Sequence, residues 1–141
     1  MTNFTKTLYE IMEKQGLSAA KMADMLEIKR STFYDMLRSE NIMLRNALKV
    51  VDYFGSSLDY FDKKTKKFYC DHKKDYTVNI YNSVKKYMEE NNITFNHLCA
   101  DIKMSRTNLT RWRDGDAPKL QTVVALAKYF NVSIDKFIGR V

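Results

Sequence analysis

The sequence predicts an all-α chain built from two tandem five-helix domains, 1–61 and 76–141, joined by a basic linker, 62–75. Three observations predict it. A shift of 76 residues lays Leu17–Phe61 over Ile93–Phe137 without a gap. Apolar residues recur at helical spacing throughout both copies, and the small polar residues that start and stop helices fall at matching places. Identities in the overlay are Arg30/Arg106, Leu44/Leu120, Tyr53/Tyr129, Phe54/Phe130, Ser57/Ser133, Asp59/Asp135 and Phe61/Phe137. Apolar pairs such as Met22/Leu98, Ile28/Met104, Phe33/Leu109 and Met36/Trp112 fill the space between them. A register held this long marks an internal repeat.

The first helix of each copy carries one apolar face, Phe4, Leu8, Ile11 and Met12 in copy one and Ile80, Val84, Tyr87 and Met88 in copy two. Gly16 and Asn92 suit its left-handed C-terminal cap. Ser18 and Thr94 can accept an orphan amide and open a short second helix, Ala19–Leu26 or Phe95–Ile102. The third helix opens near Arg30 in copy one and behind Ser105 in copy two, with Phe33, Met36 and Leu37, or Leu109 and Trp112, facing inward. The fourth ends at Tyr53-Phe54 or Tyr129-Phe130, and Ser57 and Ser133 cap a short fifth helix.

Composition narrows the function. The chain has 141 residues, 45% of them hydrophobic, and a formal net charge of +7. That composition belongs to packed chains and the charge calls for an anionic partner. No apolar run approaches the ~20 residues that span a bilayer, so a soluble cytoplasmic chain without membrane contact is expected. Two cysteines make no disulfide scaffold, and with four glycines there is no Gly-rich phosphate loop. Cys70-x-His72 and His97-x-Cys99 space their ligands too closely for a structural zinc site. No nucleophile, base and orienting group recur at a recognisable spacing. The expectation is a non-enzyme without metal or cofactor.

Two short helices around a tight turn, the second entered through small polar residues, form the core of a helix-turn-helix. The run Ile93 to Gly115, then Pro118, Val123-Val124-Ala125-Leu126-Ala127 and Asn131-Val132-Ser133-Ile134-Asp135-Lys136-Phe137, resembles the lambda-repressor-like (Cro/XRE) DNA-binding domain. Copy one is similar with departures: Ser39 replaces the loop glycine, Asn41-Ile42 replaces Ala117-Pro118, and Lys29 replaces the capping serine. Ala19 and Phe95 stand where the family often has a polar residue.

The resemblance implies double-stranded DNA as partner, with the third helix of each copy in the major groove. It assigns base-edge contacts to Arg106, Thr107 and Arg111 in copy two and to Arg30, Ser31 and Tyr34 in copy one. Asn108 and Arg113 fall to backbone phosphate. Arginine offers guanine a bidentate fork, which suits the role. The implied function is sequence-specific regulation of transcription in a bacterium or phage, repression before activation; the alternative is a protein-binding module on the same scaffold, such as a mobile-element inhibitor, an antitoxin-like protein or an adaptor.

Charge is unevenly shared. Residues 1–61 balance to zero, 62–75 carry +3 and 76–141 carry +4. Phosphate neutralisation should therefore fall on copy two and the linker. Two arrangements stay open: one chain reads two half-sites about a helical turn apart, or copy two reads DNA while copy one forms a homodimer or holds a protein partner. Charge favours the second, with Met25, Ile42, Met43 and Tyr60 as the expected exposed apolar surface of copy one.

Overall fold

A computed structural model of the chain describes residues 2–39, 41–63 and 80–140. The linker therefore lies largely outside the described residues, with Cys70 and His72. Copy one comprises α1 (Asn3–Gln15), α2 (Ala19–Met25), α3 (Arg30–Arg38), α4 (Leu44–Tyr53) and α5 (Leu58–Lys63). Copy two comprises α6 (Ile80–Glu90), α7 (Phe95–Ile102), α8 (Thr107–Arg113), α9 (Leu120–Tyr129) and α10 (Ile134–Phe137). The described residues are all-α, and their single β-like feature is an isolated antiparallel bridge between Met43 and Lys119.

The helix ends follow local chemistry. Thr2, Ser18, Thr94, Ser57 and Ser133 each accept an amide three residues on through the side-chain oxygen. These bonds satisfy donors that the first helical turn leaves without a partner. Positive φ angles recur at the repeat spacing, at Gly16 and Asn92, Glu27 and Lys103, and Gly55 and Asn131. The middle pair lies in the turn between second and third helices. There a side chain costs roughly 1–2 kcal/mol that glycine would not, and both copies tolerate it because the amides of Ile28 and Met104 reach back to Ala23 and Cys99.

Ser105 does not cap in the expected way. Arg106 stands at the cap position and α8 begins at Thr107, whose amide reaches the Ser105 hydroxyl at 3.4 Å. The Asn108 amide bonds the Ser105 carbonyl, so the helix opens through one tight turn.

One continuous apolar core runs through both copies. Phe4, Leu8, Met22, Phe33, Val50 and Phe61 fill the first; Val84, Leu98, Trp112, Val123, Leu126 and Phe137 fill the second. Tyr87, Phe130 and Phe137 stack, with centroids 5.3 to 6.2 Å apart.

The copies meet through α4 against α9 and α5 against α10. The backbone contacts there come in pairs related by the repeat. The Leu44 amide donates to the Pro118 carbonyl at 3.0 Å, and the Leu120 amide donates to the Ile42 carbonyl at 2.7 Å. Asp135 accepts from the amides of Leu58 and Asp59, while Asp59 accepts from those of Ile134 and Asp135, at 2.8 to 3.2 Å. Each carboxylate thus caps the last helix of the other copy. A patch in which i meets j and j meets i is the signature of a two-fold axis, here inside one chain.

Arg140 breaks that symmetry. It is buried, with Nη1 2.8 Å from Asp52 Oδ1 and Nε 3.1 Å from Asp135 Oδ1, so the C-terminal turn of copy two is tied to copy one. Burial, and then the neighbouring Asp59 carboxyl, push Asp135 up to about 7, while the backbone amides of Asp59 and Leu58 that it accepts from act in the opposite sense.

The same contact corrects the expected apolar surface. Ile42 is 1% exposed and Met43 is half-buried because both lie at the junction with copy two, Tyr60 is half-buried against the core, and Met25 is half-buried. Among the described residues, the large apolar side chains left exposed are Tyr9 and Tyr53.

Candidate nucleic-acid interface

In each copy the second helix, the positive-φ turn and the third helix form a corner whose inner side is apolar. Phe33, Met36 and Leu37 anchor α3, while Trp112 with half-buried Leu109 anchors α8. The outer side is left to polar residues. Arg30, Ser31, Arg106, Thr107, Arg111 and Arg113 are exposed, and Asn108 is half-buried. Tyr34 is half-buried as well, packed against the core three residues before the buried Leu37. The repeat equivalent of Arg111 is Asp35, which is exposed.

The two outer faces differ in electrostatics. Arg30 forks onto Asp24, Nε to Oδ1 at 3.0 Å and Nη2 to Oδ2 at 2.6 Å. The hydrogen bond from Arg30 holds the Asp24 carboxyl below its ordinary range, and the same bond raises Arg30. Asp35 pairs with Arg38 at 3.0 Å. In copy two Ala100 stands at the place of Asp24, and among the described residues no carboxylate pairs with Arg106 or Arg111. Arg113 lies 3.4 Å from Asp114. Copy one therefore presents Arg30 and Arg38 already paired and pre-oriented, and copy two presents Arg106 and Arg111 without a carboxylate partner among the described residues.

Asp24 and Asp35 are not among the residues that the sequence singles out, although the repeat overlay contains both differences, Asp24/Ala100 and Asp35/Arg111. Arg45, at the start of α4, joins the α8 surface of the other copy; only the packing of the copies brings it there.

His97 and Cys99 join no ligand set among the described residues, and Cys70 and His72 lie outside them. His97 Nε2 lies 3.1 Å from Asp101, whose carboxylate also accepts the Tyr129 hydroxyl at 2.6 Å. Cys99 is buried, and burial pushes its thiol up, keeping it protonated. Among the described residues no three His, Cys, Asp or Glu side chains converge. No helix among them is long and apolar enough to cross a membrane.

The model of the Cro/C1-type helix-turn-helix DNA-binding domain matches residues 83–141, and a helix-turn-helix model matches residues 8–61. The chain carries two tandem Cro/C1-type helix-turn-helix domains. No curated protein and no solved structure matches it. Cro/C1-type domains point to DNA binding and to a role in regulating transcription, and α3 and α8 are their third helices. The charges on these helices are this chain's own.

Proposed function

We propose that the chain is a sequence-specific double-stranded-DNA-binding regulator of transcription, acting in the cytoplasm of a bacterium or on a phage genome, which reads two half-sites with one molecule. The observation that carries this is the two-fold contact between the copies. An axis that exchanges Leu44 with Leu120 and Asp59 with Asp135 also exchanges α3 with α8, so the two reading helices face duplex DNA in the inverted relation that its antiparallel strands require. Arg106, Thr107 and Arg111 then read one half-site and Arg30 and Ser31 the other, while Asn108 and Arg113 hold backbone phosphate.

Selection of genomic fragments by the purified chain tests this. Enrichment of one inverted, two-part sequence supports it. Uniform weak binding that salt erases on every fragment contradicts it.

A second reading is favoured by the neutralised face of copy one, where Arg30–Asp24 and Arg38–Asp35 pair internally. In it copy one meets a protein and copy two alone meets DNA. The same selection would then return a single half-site.

A further inference from the structure

We propose that the cleft between α8 and the start of α4 binds phosphate of the DNA backbone, with Arg45 of copy one completing a site that otherwise belongs to copy two. The inference rests on DNA being the ligand of α8. The cleft has a volume of about 520 Å³ and is lined by Arg45, Asn108, Arg111, Trp112, Asp116 and Lys119 among others. Arg45 and Lys119 against one carboxylate, Asp116, make it an anion site beside the base-reading Arg111, and no carboxylate among the described residues forms an ion pair with any of the three cations. It borders α8 on the side of Asn108 and Arg111, where a backbone would run if that helix entered the groove.

The two-fold axis supplies a control within the molecule. At the equivalent place in the other half the residues corresponding to Arg45, Arg111 and Lys119 are Gln121, Asp35 and Met43. No cation remains among them. The backbone geometry of the two places is the same pattern of reciprocal bonds, Leu44 to Pro118 and Leu120 to Ile42, so charge is what separates them. A phosphate clamp is thus built on one side only, and the side that has it is the side with the free recognition arginines.

Trp112 is the single tryptophan of the chain and lines this cleft, so its fluorescence reports occupancy. The full-length protein and Arg45→Gln, which installs the residue found at the equivalent place, are titrated with the selected fragment, with random duplex and with inorganic phosphate, across a salt series. Arg45 is exposed, so the variant keeps its fold, and circular dichroism checks this. The expected result is a Trp112 response to both duplexes, and an affinity loss of roughly three- to tenfold in Arg45→Gln that is equal on the two, with the salt slope falling by about one. Lys14→Gln, an equal charge loss elsewhere, leaves the slope unchanged.

Unchanged affinity and slope in Arg45→Gln on every duplex would overturn the proposal. So would a loss confined to the selected fragment, which would make Arg45 a base reader. A response to inorganic phosphate that Arg45→Gln abolishes, beside unchanged duplex affinity, would also overturn it and assign the cleft to a small phosphate ester. If the chain selects no sequence but the slope change on random duplex remains, sequence-specific regulation fails and the phosphate site stands.

Discussion

Arg106 and Arg30 occupy one slot in a repeat, yet their surroundings ask different things of them. Arg106 has no carboxylate partner among the described residues, which leaves its donors unspent for the proposed base contact. Arg106→Ala is expected to cost about 1–3 kcal/mol on the selected fragment and to relax one base position; an equal loss on random duplex would make it a phosphate contact. Arg30 is held by Asp24 through Nε and Nη2, a fork that leaves Nη1 to reach a base. Asp24→Ala frees that fork and removes a negative charge. Base discrimination in the half-site of copy one should fall while affinity for random duplex rises, and repeated selection with the variant reads both. At this scale the sequence was legible where the chemistry is local. Gly16, Asn92, Ser18 and Thr94 could be placed as caps because a cap needs only neighbours three or four residues away. Tyr34 is half-buried because it lies three residues before the buried Leu37, on the flank of the inward face. The turn residue Glu27 offers a check on the backbone: at φ 56 it carries strain, so Glu27→Gly is expected to raise stability by about 0.5–1 kcal/mol in urea unfolding.

The two last helices are the elements that make one molecule of two copies. Asp59 and Asp135 are visible in the overlay as an identity, but each bonds backbone 75 to 77 residues away, and no local pattern announces that. Asp59→Ala removes two charge-assisted bonds and should cost about 2–4 kcal/mol. Asp135→Ala should cost more, since it also takes a carboxylate from the buried Arg140 guanidinium. The pair also sets a pH dependence. Asp135 is raised from 3.8 to about 7 in the fold, so the folded chain keeps a proton that the unfolded chain has released. Stability from this group is complete below about pH 4, declines as pH rises through 7, and is level above it, with a steepest slope of about 1.4 kcal/mol per unit. Urea unfolding should give a larger free energy at pH 5 than at pH 8, and Asp59→Asn should flatten the difference because it removes the facing carboxylate. Equal stability at the two pH values would show that Asp135 is ionised throughout.

For the whole molecule, the repeat, the helix order and the family resemblance were all legible, because they rest on periodicity and capping. The relation between the copies was not. Charge counted by segment favours a first copy turned towards another protein, with Ile42 and Met43 on its surface. Packing instead buries Ile42 against copy two and gives the chain a two-fold axis of its own. Charge asymmetry survives in another form, as Arg30 and Asp35 paired off on one face and Arg106, Arg111 and Arg45 free of carboxylates on the other. The expected species is therefore a monomer that engages an inverted site whose halves are unequal. The most direct measurement is the mass of the complex on the selected duplex together with its footprint. One chain per duplex, protecting two major-groove segments about one helical turn apart, is the expected result. Two chains per duplex, or protection of a single segment by one chain, would contradict it.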